Sequence, residues 1–179
     1  MVAGLTYMLS GKYEQARSMY EKLLAVQPND TVALNNLACL YSDDLNPPDA
    51  AKALGFSTRA FELMQKSGQM DPNVLETQGW ILVRNNRVDE GISNIQMALD
   101  RRAIMEGYYH LGYAFLQKKL ALEAQAALER AQKMLNDRKD KGEPIDAKLQ
   151  SSITDTLAKA KSMANGPATA PGTRPAVKP

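Results

Sequence analysis

The sequence predicts an all-α fold: a right-handed α-solenoid of about four helix–turn–helix repeats followed by a C-terminal capping helix. Three observations predict it. The chain is similar to itself at a step of 33 to 41 residues. Each unit carries small residues at matching positions, with large apolar residues beside them. Helix stop and start signals fall at the borders of the units. Self-similarity on this scale is the mark of stacked supersecondary units, none of which can bury its apolar face alone.

The first helices are marked by Gly4-x-x-Tyr7, Ala38-x-x-Tyr41, Gly79-x-x-Leu82 and Gly112-x-x-Phe115, with steps of 34, 41 and 33 residues. The second helices are marked by Ala16, Ala53, Gly91 and Ala124, with steps of 37, 38 and 33. A further series runs Leu23, Ala60, Ala98, Ala131. Two helices approach closely only where the side chains between them are small. The small residues are therefore expected at the crossing of each pair, with Tyr7, Tyr20, Tyr41, Leu82, Ile95, Phe115 and Leu128 filling the space beside them. Apolar residues on the second helices recur at i, i+3 and i+4, which gives one buried stripe.

The borders follow in order. Ser10-Gly11 stops the first helix, and Gln27-Pro28-Asn29-Asp30 ends the first pair with Asp30 placed to cap the next helix. Asp71-Pro72 reads as an N-cap followed by proline at the first helical position. Asn85-Asn86 and Lys118-Lys119 are the turns of the third and fourth pairs. The second pair is irregular. Residues 43–49 make a longer turn, by about three residues on the repeat alignment, and Lys66 to Met70 lengthen the end of the unit.

The units are expected at about 1–30, 31–70, 71–103 and 104–135, with a charged linker over 136–143. Over 144–164, Ile145, Leu149, Ile153, Leu157 and Ala160 share one side of an amphipathic helix, which fits the cap that a repeat array needs at its end. Residues 165–179 are rich in proline, alanine and glycine and read as disordered. The leading helix of the first unit is about one turn short. The chain thus reads either as a piece of a longer array or as one with a short first helix.

Composition narrows the function. A net charge of +2 over 179 residues gives no field that nominates nucleic acid or an anionic membrane. No stretch approaches the ~20 apolar residues of a membrane span, and the N-terminal stretch lacks the basic region and cleavage site of a signal peptide. The chain reads as soluble: cytoplasmic, or periplasmic if it is part of an exported protein. The single cysteine, Cys39, and single histidine, His110, lie in different units. They form no nucleophile–base set and no metal-ligand spacing, so neither an enzyme nor a cofactor or metal site is expected. Asp43, Asp44 and Asp49 lack the central glycine and final glutamate of a calcium loop.

These residues resemble the tetratricopeptide repeat family, whose unit follows the pattern W-x2-L-G-x2-Y…A-x3-F…P. The first unit matches at Gly4, Tyr7, Ala16, Tyr20 and Pro28, the third at Gly79, Leu82, Gly91 and Ile95, and the fourth at Gly112, Phe115, Ala124 and Leu128. The stretches around Leu34-Asn35-Asn36-Leu37-Ala38 and Tyr109-His110-Leu111-Gly112 look like bacterial arrays of the family, some of them envelope-associated.

The resemblance implies that first helices line a concave groove that holds a partner peptide or helix. On this chain that face would show Leu5 and Leu9, then Val32, Asn35, Cys39 and Asp43, then Asn73, Glu76, Trp80 and Arg84, then Glu106, Tyr109, Tyr113 and Gln117. Asn35, Trp80, Arg84, Tyr109 and Tyr113 are the candidate partner-binding residues, because aromatic and arginine side chains dominate interface energies. Trp80 and Tyr109 have an equal claim to plain packing between repeats. Chaperone-binding members clamp a C-terminal carboxylate with basic residues. This chain offers Asn73 and Thr77 where those are needed, so no such clamp is expected. The rival reading is self-assembly through an open N-terminal repeat edge that includes Leu5 and Leu9, or membership of a larger envelope- or polysaccharide-associated assembly.

Overall fold

A computed structural model describes residues 2–165, and among them every regular element is helical. The α-helices are α1 (Val2–Leu9), α2 (Tyr13–Val26), α3 (Thr31–Cys39), α4 (Ala50–Ser67), α5 (Pro72–Arg84), α6 (Val88–Arg101), α7 (Met105–Gln117), α8 (Ala121–Asp140) and α9 (Ala147–Ala164). One π-helical turn, Leu40–Asp44, continues α3. Apart from Asn165, the expected disordered tail lies outside the described residues.

The helices pair as α1 with α2, α3 with α4, α5 with α6 and α7 with α8, and α9 lies against α8 and α7. The small residues sit where the repeat spacing expects them. Ala16, Ala38, Ala53 and Ala124 are at most 1% exposed. In the third pair backbone meets backbone. A methyl group on Gly79 would lie 2.8 Å from the Gly91 carbonyl oxygen, and one on Gly91 would lie 2.6 Å from the Gly79 carbonyl oxygen. The two backbones touch there, so only glycine is accommodated on either side. On Gly112 a methyl group would overlap Leu128, which fills the crossing of the fourth pair.

The caps follow the local chemistry. The Asp30 carboxylate accepts from the Ala33 N–H, and Asp71 accepts from the Asn73 N–H with Pro72 opening α5. Asp49 and Asp146 cap α4 and α9 in the same way. Two turns place a side-chain-bearing residue in the left-handed region, Asn86 at φ 63° and Lys119 at φ 60°.

Two boundaries differ from the sequence reading. The expected linker over 136–143 is mostly helix, since α8 runs to Asp140 and residues 141–146 form the connection. Leu135 is fully buried and anchors the last turns. Arg138 and Lys139 then suit the negative end of the helix dipole. The capping helix starts at Ala147 rather than at Pro144, because Asp146 supplies the cap. In the second repeat, part of the expected long turn is taken up by the π-helical turn, which leaves residues 45–49 as the loop.

First helices of successive repeats touch one another: α3 meets α5, α5 meets α7, and α7 meets α9. Successive second helices make no comparable contact among the described residues. The row of first helices is therefore the inside of the curve, and it positions the surface described next.

Candidate functional site

The inner face is organised around Trp80, the only tryptophan of the chain. Its indole lies flat on the His110 imidazole, with centroids 3.9 Å apart and planes 9° from parallel. Tyr113 meets it edge-on at 5.3 Å, and Tyr109 is tilted at 6.3 Å. The Arg84 guanidinium lies 5.6 Å from the indole centroid, within reach of a cation–π attraction. The indole Nε1–H donates to Asp43 Oδ2 at 2.8 Å. Asp43 comes from the π-helical turn of the second repeat, and His110, Tyr109 and Tyr113 come from the first helix of the fourth. One side chain thus ties three repeats together.

Beneath this cluster the polar groups are paired. His110 Nδ1 meets the Glu76 carboxylate, and Cys39 Sγ lies 3.6 Å from Thr77 Oγ1. Burial pushes the Cys39 thiol up to about 12, partly offset by the Thr77 hydroxyl. A thiol held protonated at neutral pH is a poor nucleophile. Among the described residues no group of three or more His, Cys, Asp or Glu is placed to hold a metal ion.

The capping helix reaches this face. Lys148 Nζ donates to the Asp43 carbonyl at 3.2 Å, joining residues 105 apart in sequence. Tyr109 packs against the apolar clusters that hold Ile153 and Leu157 of α9, and burial raises its phenol above the ordinary range, with Ser152 and Thr156 acting to lower it. Asp44 is pushed up to about 6, chiefly by burial, with Lys148 lowering it and Asp43 and Asp146 raising it.

The five candidate residues therefore separate. Trp80 is only 7% exposed and forms the floor of the face, so the packing role weighed against binding is the one its geometry gives. Tyr109 is directed to α9. Arg84 is exposed, while Asn35 and Tyr113 are half-buried and line hollows. The first hollow, of about 340 Å³, lies at the N-terminal ends of α3, α5 and α7 and includes Val32, Asn35, Asn73, Glu76 and Glu106. The second, of about 200 Å³, lies toward the C-terminal ends of α5 and α7, with Ser42, Arg84, Asn85, Tyr113 and Gln117. The five candidate residues all lie on first helices, α3, α5 and α7. Sequence reasoning missed the pairs Asp43–Trp80 and Glu76–His110. Their separations of 37 and 34 residues are close to the repeat step, which was the available signal.

A curved row of first helices with a mixed polar and aromatic inner face defines a helical-repeat protein-interaction scaffold. The chain belongs to the tetratricopeptide repeat family: models of the tetratricopeptide repeat match residues 76–143 and 1–30. The fold is also that of MamA, at 18% identity and a TM-score of 0.58, over 92% of this chain and 95% of that one. It is similar to a putative kinesin light chain with nearly identical TPR-like repeats from Podosopora anserina, at 13% identity and a TM-score of 0.60, over 90% and 83% of the two chains. No curated protein sequence matches the chain. Among the described residues no helix is long and apolar enough to cross a membrane.

Proposed function

We propose that the protein is an adaptor that holds a segment of a partner protein on the inner face of its second to fourth repeats. The observation that supports this most is the pair of hollows on either side of the Trp80 cluster, built almost wholly from first-helix side chains and the turns beside them. Arg84, Tyr113 and Asn35 are the contacts, and Trp80 holds the floor on which Arg84 rests. A preformed surface of this kind loses little ordering entropy when a partner docks.

The test is affinity capture from lysate of the source organism with the wild type beside Arg84→Ala/Tyr113→Ala. Trp80 is left in place because its loss would disturb packing. Partners held by the wild type and lost from a variant of unchanged helicity support the adaptor. Full retention of every partner by the variant would overturn it.

A second reading is favoured by one observation. On α1, Leu5 is 51% and Leu9 81% exposed. Self-association through that edge buries both. Sedimentation velocity across a wide concentration range checks it, and a monomer throughout would count against it.

A further inference from the structure

The capping helix α9 is held in two unlike ways. Its second half is anchored by apolar burial, with Ile153, Leu157 and Ala160 all buried. Its first turn is held at the surface. Asp146, Ala147, Lys148 and Ser151 are exposed, and only Ile145 and Leu149 pack partly against the cluster of Met105, Ala131 and Leu135. The connection before it, 141–146, turns at Gly142, which is exposed, has φ 68° and has nothing within 4 Å of an added methyl. A segment with few buried apolar contacts opens locally at lower cost than a well-anchored one beside it.

What this first turn touches lies in the second repeat, although α9 follows the fourth. Lys148 Nζ donates to the Asp43 carbonyl, and the Asp43 carboxylate accepts from the Trp80 indole of the repeat between. The Tyr13 phenol, at the start of α2, is raised by Asp44, by burial and by Asp146, so the cap of α9 also comes within electrostatic reach of the first repeat. Around Asp44, Lys148 is set against Asp43 and Asp146. With one cation among three carboxylates, Lys148 is the group that holds the turn down. The Trp80 cluster stands between the two hollows of the inner face, so a segment running from one hollow to the other crosses the place where this turn lands.

We propose that the first turn of α9 is a strap, latched by Lys148 onto the π-helical turn of the second repeat, that gates the stretch of inner face between the two hollows. The purpose of the gate rests on the adaptor reading, and the latch itself does not.

Hydrogen–deuterium exchange of the full chain reads the latch. Lys148→Met is expected to speed exchange in 145–152 about two- to fivefold, the size of an exposed charged contact, with 153–164 at the wild-type rate. Lys148→Arg keeps the charge and should match the wild type, as should Lys159→Met, exposed on the same helix. Unchanged exchange in Lys148→Met, or equal speeding in Lys148→Arg, would overturn the latch. The gate is read by acrylamide quenching of Trp80, the single tryptophan, which is buried in the closed form. Ile145→Ser/Lys148→Ser/Leu149→Ser removes the contacts that hold the first turn and should raise the quenching constant about twofold or more, as local opening exposes the indole. Trp80 as well shielded as in the wild type would overturn the gate. Loss of protection through 153–164 in Lys148→Met or in the triple variant would show that α9 docks as one unit, which overturns the strap. Failure of either arm leaves the adaptor reading standing, since partner capture with Arg84→Ala/Tyr113→Ala is read separately.

Discussion

The Trp80 indole N–H donates to the Asp43 carboxylate across 2.8 Å, joining the third repeat to the π-helical turn of the second. Without that turn Leu40–Asp44 would follow the ordinary α-helical register and Asp43 would be aimed differently. The irregular second repeat and the floor of the inner face are thus one feature. Trp80→Phe keeps an aromatic ring on His110 and removes the donor, and is expected to cost about 1–2 kcal/mol in urea unfolding. Trp80→Ala should cost about 3–5 kcal/mol, because it also opens a cavity. Equal stability of Trp80→Phe and the wild type would show that the hydrogen bond contributes nothing.

The contact of α5 with α6 makes a contrasting pair of predictions. Gly79→Ala drives a methyl group against the Gly91 carbonyl and the Ile95 nitrogen, and should destabilise by about 3 kcal/mol or more. Gly55→Ala, in the exposed interior of α4 with nothing within 4 Å of the added methyl, should stabilise by about 0.5–1 kcal/mol. Thermal unfolding of the two variants beside the wild type tests both.

Lys119 occupies the left-handed position after α7 at φ 60°. Lys118, not Lys119, makes the ion pair with Asp89 at 2.8 Å. Lys119→Gly therefore relieves backbone strain without loss of that pair, and should raise stability by about 0.5–1 kcal/mol. A lower melting temperature for the variant would contradict this.

Asp44 gives a pH dependence. Its folded-state value is raised to about 6, whereas an unfolded aspartate titrates near pH ~4. Between these the folded form keeps a proton that the unfolded form has lost, so this group's contribution falls as pH rises from about 4 to about 6. Asp44→Asn should therefore be more stable than the wild type at neutral pH, and the advantage should fade toward about pH 4. Lys148→Met should raise the Asp44 value further, since Lys148 is the group that lowers it. Carboxyl NMR titration of Asp44 in the wild type and in Lys148→Met checks the second statement, and urea unfolding of Asp44→Asn beside the wild type at neutral and at acid pH checks the first.

Much of this was legible in the residues. The series through Gly4, Ala38, Gly79 and Gly112 writes the packing constraint directly, because a crossing of two helices tolerates only small side chains. Asp30 and Asp71 announced two helix starts for the same local reason. The register of the first helices was legible too: Val32, Asn35, Asn73, Glu76 and Glu106 were placed on one face and line one hollow. What escaped were features set by how repeats twist on one another. Trp80 was legible as inward-facing, but its burial depends on Asp43 arriving from the π-helical turn and His110 from the next repeat. The reach of α9 to Asp43 through Lys148 depends on the curvature of the whole array, which no local pattern records. The extension of α8 to Asp140 was hidden because charged residues after Leu135 read equally as solvated helix and as linker.

The proposed adaptor holds its partner along the inner row of first helices. Hydrogen–deuterium exchange of the protein alone and with a captured partner, read peptide by peptide, tests it most directly. Exchange is expected to slow in 31–39, 72–84 and 105–117 on binding, with α4 and α6 unchanged. Slowing confined to α4 and α6, or to α1, would place the partner elsewhere and contradict it.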